Sequence, residues 1–311
     1  MAHPSTAPGI VRVAAFYRFA PVAEPAALRR ELAEFAASRR LKGTLLVAAE
    51  GINGTLAGSG TAVDELVGRL REIPGCAELE VKLAEAAAMP FHRLKVRLKK
   101  EIVTMGVPGL DPARRAGTRL DAVAWNALLD DPETIVLDTR NGYEVALGSF
   151  RGAIDPQTAS FREFPAWLAA HKERLAGRKV AMFCTGGIRC EKATAYARAL
   201  GLEQVFHLDG GILRYLEAVE PAASRWQGEC FVFDERVAVG HGLAAGEATL
   251  CRACRRPLTA ADRNSPLYRE GISCADCHGR RSDEDRACYA ERHRQVGLAA
   301  ARGGRRHVGS L

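Results

Sequence analysis

The sequence predicts a mixed α/β chain with three parts: an N-terminal α+β domain, a central parallel sheet flanked by helices, and a small cysteine-rich segment. Residues 1–100 read as strands and two helices in the order βαββαβ. In the central stretch, short apolar runs alternate with helices. Two Cys-x-x-Cys motifs follow. We expect domains at 1–100, 120–225 and 226–296, a linker at 101–119 and a disordered tail at 297–311.

The N-terminal domain is predicted to be ferredoxin-like, of the acylphosphatase type. Apolar residues recur with period two in strands and near 3.6 in helices. The expected elements are a strand Ile10–Phe19, a helix Glu24–Arg40, a strand pair Gly43–Leu56, a helix Thr61–Ile73, and strands Leu79–Leu83 and His92–Leu98. The strand pair is expected to turn at Glu50–Gly54, because this stretch contains Asn-Gly, a strong turn signal. The first six of these elements follow the βαββαβ order of the ferredoxin-like fold, which hosts many functions.

The last of these strands carries a stripe of basic residues on one face. Its members, two residues apart, are Arg93, Lys95, Arg97 and Lys99. Residues 1–100 and 251–311 have net charges of +5 and +6, whereas residues 101–250 have −4. Basic flanks around an acidic centre favour a polyanionic partner whose phosphates the stripe contacts. An ordinary solvated surface without a partner is the alternative.

The central region is predicted to be a parallel sheet with active residues at the carboxyl ends of its strands. Its elements are a helix Asp121–Leu129, a strand Ile135–Asp138, a helix Phe161–His171, a strand Val180–Phe183, a helix Cys190–Gly201, a strand Val205–Leu208 and a helix Gly211–Val219. Asp138 and Cys184 therefore lie at one edge. We expect Asp138 and Arg140 to form a hydrogen-bonded pair that supports the loop after Cys184; a direct chemical role is the alternative.

Cys184 is the candidate catalytic residue. The loop that follows it consists of Thr185, Gly186, Gly187, Ile188, Arg189 and Cys190. Its glycines let successive N–H groups converge on the sulfur, and the helix dipole and Arg189 favour an anion there. We therefore predict a thiolate with a lowered pKa; a buried core cysteine is the alternative. Cys190 is either a resolving thiol or a residue packed beneath the helix.

Four segments resemble the rhodanese family. They are LDTRNGYE at Leu137–Glu144, GSFRGAI at Gly148–Ile154, CTGGIRCEK at Cys184–Lys192 and HLDGGI at His207–Ile212. The second has Ser149 in place of the family's usual histidine. The resemblance implies a persulfide on Cys184 during turnover. A phosphatase is disfavoured, because its phosphate-binding arginine stands six residues after the cysteine, where this chain has Cys190.

The C-terminal motifs predict a metal site. Two Cys-x-x-Cys pairs, separated by 19 residues, offer four sulfurs to a tetrahedral zinc ion of structural type. The predicted ligands are Cys251, Cys254, Cys274 and Cys277, with His278 and Cys288 in reserve. The alternative is a redox dithiol or a metal-free thiol module. The arginine-rich residues that follow these motifs have two interpretations: they contact RNA, or they only solubilise the chain.

Cysteine usage and hydropathy predict a cytoplasmic protein. Nine cysteines in 311 residues are too few, and odd in number, for a disulfide framework. The N-terminus lacks the basic and apolar regions of a signal peptide. No apolar run reaches the roughly 18 residues of a membrane span, so we expect no membrane partner. The oligomeric state is left open.

With AEGINGT at Ala49–Thr55, the chain from about Val11 to Cys277 resembles the rhodanese-domain tRNA uridine hydroxylases. The resemblance implies conversion of the wobble uridine to 5-hydroxyuridine, with molecular oxygen as co-substrate. It also implies the tRNA anticodon loop as a partner, and a sulfur donor or reductant as a second one. Two rival hypotheses are a sulfurtransferase that works through a Cys184 persulfide, and a non-catalytic RNA-binding or scaffold protein with a retired core.

Overall fold

The computed structural model describes residues 10–302, which form two compact units. The first contains the described residues up to Gly142, Phe150–Trp226 and His241–Leu243. The second contains Tyr143–Ser149, Gln227–Gly240 and the described residues from Ala244 onward. The predicted mixed α/β fold is confirmed. Within residues 10–302, no helix has the length and apolar character needed to cross a membrane.

The N-terminal part is a five-stranded sheet with two helices on one face. Its elements are β1 Val11–Phe19, α1 Pro25–Ser38, β2 Lys42–Ala48, β3 Gly51–Gly58, α2 Gly60–Arg71, β4 Val81–Ala86 and β5 Leu94–Leu98. The strand order is β4-β1-β3-β2-β5, with β5 parallel to β2 and the other pairs antiparallel. Side chains of one sheet face, among them Leu45, Leu56 and Val96, form a core with Leu32 and Leu66 of the helices.

The other face of this sheet carries polar residues in register. One row across all five strands contains Lys82, Ala15, Thr55, Thr44 and Lys95. The predicted basic stripe belongs to this face. Three of its members, Arg93, Arg97 and Lys99, are exposed, and Lys95 is half-buried.

The predicted hairpin turn, Glu50–Gly54, is correct only at its first residue. The chain turns at Ala49-Glu50, and Asn53 and Gly54 lie inside β3. A side chain at Gly54 would come within 2.8 Å of the Thr44 carbonyl oxygen. Glycine is therefore required here for the close approach of β2 and not for a turn.

The predicted linker 101–119 is packed. Ile102 and Met105 are buried, and the Glu101 carboxylate accepts hydrogen bonds from the N–H groups of Met105 and Gly106. The segment then forms α3 Pro112–Arg115 and β6 Thr118–Leu120, and β6 is already a strand of the central sheet. Buried apolar side chains and satisfied backbone groups make this segment part of the first unit.

The central part is a parallel sheet in the order β6-β10-β9-β7. Its further elements are α4 Ala122–Leu129, β7 Thr134–Asp138, α5 Gly142–Val145, β8 Gly148–Phe150, α6 Phe164–Ala170, α7 Lys172–Leu175, β9 Lys179–Phe183, α8 Ile188–Ala199, β10 Val205–Leu208 and α9 Gly211–Ala218. The strands β7, β9 and β10 all end at one edge, where Asp138, Cys184 and Asp209 lie.

The second unit contains short strands and helices around a cysteine cluster. The remaining elements are β11 Trp226–Gly228, β12 Cys230–Phe231, β13 Ala238–Val239, β14 Thr249–Leu250, β15 Pro257–Leu258, α10 Ala260–Arg263, α11 Ala275–His278 and α12 Asp283–Ala301. The sequence predicts one long strand over Glu229–Val239; instead β12 and β13 form a hairpin. Asp234 accepts hydrogen bonds from the main chain and side chain of Arg236 at its turn.

The predicted disordered tail begins too early. Helix α12 continues past Gly297 to Ala301. It starts with a capping box between Ser282 and Asp285 and ends in a run of alanines, which favour helix. The predicted disorder of residues 303–311 lies outside the described residues.

Candidate active site

The loop after Cys184 is shaped by a glycine at the start of α8. Gly187 has a φ of +100°, which glycine adopts without steric cost. This conformation directs the Gly187 N–H at the Cys184 Sγ, at 3.1 Å. The N–H of Cys190 bonds the same sulfur. Two main-chain donors therefore converge on Cys184, as an oxyanion or thiolate site requires.

The surroundings of Cys184 favour its ionised form. Burial alone would raise the pKa of this thiol, since charge is poorly solvated there. The Cys190 side chain, the Arg189 guanidinium and the two main-chain N–H groups outweigh burial and lower the pKa of Cys184 to about 5. Burial and the adjacent thiolate raise the pKa of Cys190. At neutral pH the pair therefore consists of a Cys184 thiolate and a neutral Cys190.

Cys190 is buried on the inner side of this pair. Its Sγ lies 3.6 Å from the Thr139 hydroxyl oxygen, which donates to the Phe183 carbonyl at 3.0 Å. Both Cys190 and Thr139 are buried. The structure thus brings Cys190 into contact with Cys184 and also buries it. Contact with Cys184 agrees with a resolving thiol, and burial agrees with a residue packed beneath the helix.

Asp138 and Arg140 form a buried ion pair. The guanidinium donates to the carboxylate in bidentate fashion, with Nε–Oδ1 2.9 Å and Nη2–Oδ2 2.7 Å. Both side chains are fully buried, and the guanidinium lies over the Trp226 ring at 5.1 Å. A pair this enclosed fixes the strand end beside Thr139. This geometry supports the predicted supporting role.

The segment HLDGGI packs directly on the cysteine loop. The N–H groups of Ile212 and Leu213 donate to the carbonyls of Cys184 and Thr185, at 3.0 and 3.1 Å. Gly211 has a φ of +67°, and a side chain on it would lie 2.5 Å from the Cys184 carbonyl oxygen. Only glycine permits this approach, which explains the double glycine of the segment.

A polar cluster from the N-terminal sheet touches the loop, and sequence reasoning missed it. The Tyr17 hydroxyl donates to Glu191 Oε1 at 2.9 Å, and Arg119 Nη2 donates to the same oxygen at 2.6 Å. A side chain at Gly187 would lie 2.8 Å from the Tyr17 hydroxyl oxygen. Of Tyr17, Arg119 and Glu191, only Glu191 lies in a motif that the sequence analysis identified, directly after Cys190 in CTGGIRCEK.

The AEGINGT segment acquires a role that its sequence did not define. Lys192 is buried, and its Nζ lies 2.8 Å from Glu50 Oε1 and 2.7 Å from Glu101 Oε2. Glu50 accepts the Ile102 N–H at 2.7 Å, and the Asn53 amide donates to the Ile102 carbonyl at 2.9 Å. The segment therefore holds residues 101–102 against the helix that begins at the active-site loop.

Cys184 has no exposed surface in this conformation. Any ligand therefore reaches its sulfur only after surrounding groups move. The thiolate is well stabilised but enclosed, so the structure shows a closed form of the site and not an open pocket.

The four C-terminal cysteines lie together as predicted. Their sulfurs all lie within 4.8 Å of one another. Three sulfur pairs are 3.7–3.9 Å apart, close to the separation of about 3.8 Å that four sulfurs at about 2.3 Å from one zinc ion would have. Hydrogen bonding with Cys254 lowers the pKa of the Cys251 thiol to about 5. Within the described chain, the predicted reserve ligands His278 and Cys288 are not part of this group.

Two family matches divide the first two thirds of the chain. Residues 11–102 match the UPF0176 acylphosphatase like domain, and residues 122–218 match the Rhodanese-like domain. The rhodanese match contains Asp138, Cys184 and the HLDGGI segment.

Full-length relatives carry one common name. A tRNA uridine(34) hydroxylase of Mesorhizobium japonicum is 63% identical over 99% of both chains. One of Brucella ovis is 58% identical over 96% of this chain and 98% of its own. Among solved structures, the rhodanese-like domain of an Anabaena protein is 20% identical, with a TM-score of 0.30, over 35% of this chain and 78% of its own.

Proposed function

The chain belongs to the family of tRNA uridine(34) hydroxylases, and we propose that it hydroxylates the wobble uridine of tRNA to 5-hydroxyuridine through the Cys184 thiolate. The observation that carries this proposal is the 63% identity over the whole chain to a relative of that name. The site supports it, because an ionised sulfur held by main-chain N–H groups is a strongly activated nucleophile. The wobble base is unpaired in its loop, so it can be extruded at low cost.

The plain sulfurtransferase hypothesis accounts for less of the molecule. It needs only the rhodanese part, residues 122–218. Yet Tyr17 and Lys82 of the N-terminal sheet contact the active-site loop, and Lys192 joins that loop's helix to Glu50. A site assembled from both parts, with a basic sheet face on one of them, fits a large polyanionic substrate better than thiosulfate. A persulfide on Cys184, formed when the thiolate takes the outer sulfur of a donor such as thiosulfate and releases sulfite, remains part of the proposal as a turnover state.

Molecular oxygen is the proposed source of the added oxygen atom, with a thiol or other reductant supplying the electrons that reduce its second atom to water. The experiment uses a deletion strain grown with and without this gene restored. We expect mass spectrometry of digested tRNA to detect 5-hydroxyuridine only in the restored strain. When the cells grow under isotopically heavy molecular oxygen, this nucleoside should contain the heavy isotope. Thiosulfate:cyanide activity without any 5-hydroxyuridine would favour the sulfurtransferase hypothesis instead.

The exposed basic stripe is the proposed contact for the tRNA backbone. Lys95 and Arg97 belong to the sheet face that carries Tyr17 and Lys82 to the loop. Arg93 and Lys99 extend the charge along the same strand. Phosphates bound along this edge would therefore lie on the side of the sheet from which the active cysteine is reached.

Removing one exposed charge of the stripe should weaken tRNA binding in a salt-dependent way. For Arg97→Ala we expect a lower affinity and a decrease of about 1 in the slope of log affinity against log salt, because one phosphate contact is lost. Filter binding or fluorescence anisotropy over a salt series measures both. Arg30→Ala is the control, since Arg30 is exposed on a helix of the opposite face. Equal slopes for both variants would exclude the stripe.

Zinc is the proposed occupant of the four-cysteine cluster. Cys251, Cys254, Cys274 and Cys277 supply four soft thiolate ligands at tetrahedral spacing, a set typical of structural zinc and closed to substrate. The ion would hold together the small core that these cysteines share with Leu258. It takes no part in the proposed reaction. A tRNA substrate and nine cysteines that form no disulfide support the proposed cytoplasmic location.

A further inference from the structure

Lys82 reaches the active-site loop from an edge strand of the N-terminal sheet. Strand β4 is the edge strand, and the register of Lys82 with Ala15 places its side chain on the face opposite the two helices. Its Nζ donates to the Gly186 carbonyl oxygen at 2.6 Å and also to the Gly210 carbonyl oxygen. Lys82 therefore joins the loop after Cys184 to the HLDGGI segment that packs on it.

The bond to Gly186 bears directly on the sulfur. The Gly186 carbonyl and the Gly187 N–H belong to one planar peptide unit and point in opposite directions. The carbonyl end accepts from Lys82, and the N–H end donates to the Cys184 Sγ at 3.1 Å. A donor on the carbonyl polarises the peptide and strengthens the hydrogen bond that its N–H makes.

The peptide needs such an anchor because glycines flank it. Gly186 and Gly187 lack the side chains that restrict backbone rotation, and Gly187 already has a φ of +100°. Rotation of this one peptide would turn its N–H away from the sulfur at little steric cost. The Lys82 amine opposes that rotation, since it would then face an N–H in place of a carbonyl oxygen.

We propose that Lys82 is a positioning residue for Cys184: it fixes and polarises the Gly186–Gly187 peptide so that this N–H stabilises the thiolate. The part of this inference that concerns tRNA hydroxylation rests on the proposed function. The part that concerns the pKa of the Cys184 thiol does not. Because Lys82 comes from another sheet, the thiolate is fully stabilised only while the N-terminal sheet lies against the loop.

Other charged groups lie near the Lys82 amine and also affect how the reactivity of Cys184 changes with pH. Glu80 just before its strand, Asp209 from the turn after β10, and Arg214 from α9 surround it, and Arg214 pairs with both carboxylates. Burial lowers the pKa of Lys82, while the Cys184 thiolate, Glu80 and Asp209 oppose that decrease. Around the sulfur, the titrating or charged groups are Cys190, Arg189, Tyr17 and Glu191.

The test is the pH dependence of Cys184 alkylation in the full-length protein, read by peptide mass spectrometry with a small neutral alkylating reagent. For Lys82→Met we expect the midpoint to rise by about one pH unit, so that at pH values well below the wild-type midpoint the thiolate fraction falls about tenfold, the usual effect of losing one charge-assisted hydrogen bond. Lys82→Arg should restore most of the wild-type profile, because it keeps a charged donor. Lys172→Met, at an exposed lysine, should leave the profile unchanged.

The outcomes separate this inference from the proposed function. An unchanged midpoint in folded Lys82→Met would overturn the inference, and so would lost hydroxylation with an unchanged alkylation profile, which would assign Lys82 to the substrate. If Lys82→Met fails to fold, Lys82→Leu carries the same test with an apolar side chain that cannot donate to the Gly186 carbonyl oxygen. Failure of the wild-type protein to form 5-hydroxyuridine would refute the proposed function and leave the alkylation comparison intact.

Discussion

Replacing Cys184 with serine is expected to abolish 5-hydroxyuridine formation while the protein stays folded. The hydroxyl is about the size of the thiol, so the buried position keeps its packing. An alcohol, however, is not ionised at neutral pH, and the N–H groups of Gly187 and Cys190 then have no anion to stabilise. We expect a loss of activity on the order of 10³-fold or more, the scale seen when a nucleophile is removed from an assembled site.

The measurement is quantitative nucleoside mass spectrometry on tRNA treated with purified protein, with circular dichroism to verify folding. Cys76→Ser is the matched control, because Cys76 is a buried cysteine in the core of the N-terminal sheet. It should lose stability without losing the chemistry. Hydroxylation by folded Cys184→Ser at the wild-type rate would show that the reaction does not pass through this sulfur.

Removing zinc is expected to unfold the cysteine cluster of the second unit. A structural zinc ion contributes about 10–16 kcal/mol of binding free energy in small domains. The core that would remain consists of Leu258 and the cysteines themselves, with Tyr268 and Ala253 partly buried against them. So small an apolar core cannot offset the entropy of ordering the chain.

A strong chelator or Cys274→Ser should therefore abolish hydrogen-exchange protection across residues 251–277. Elemental analysis should find one zinc ion per wild-type chain and much less in Cys274→Ser. Cys288→Ser should retain the full zinc content, because Cys288 is exposed on α12 outside the cluster. Protein purified without zinc that keeps its protection would favour the metal-free thiol module.

Local sequence patterns were sufficient for the chemistry of the loop. A strand that ends at Phe183, two glycines and a helix start fix where the nearby N–H groups point, and all of these signals lie within ten residues. The four candidate zinc ligands could also be predicted from the sequence, since each Cys-x-x-Cys pair is a local turn. Turn signals were less reliable: Asn53-Gly54 has the composition of a hairpin turn, but close approach to Thr44 explains its glycine.

The amino-acid sequence alone determined the order of elements, the reactive cysteine and the clustered thiols, because periodicity, glycine conformation and ligand spacing act over a few neighbouring residues. Only the tertiary structure decided that Lys82, 104 positions before Gly186, would hold the peptide that faces Cys184, and that Glu50 would pair with Lys192. Such pairs depend on which face of one sheet lies against another part of the chain. That choice is the sum of many weak contacts between distant residues, and no local pattern encodes it.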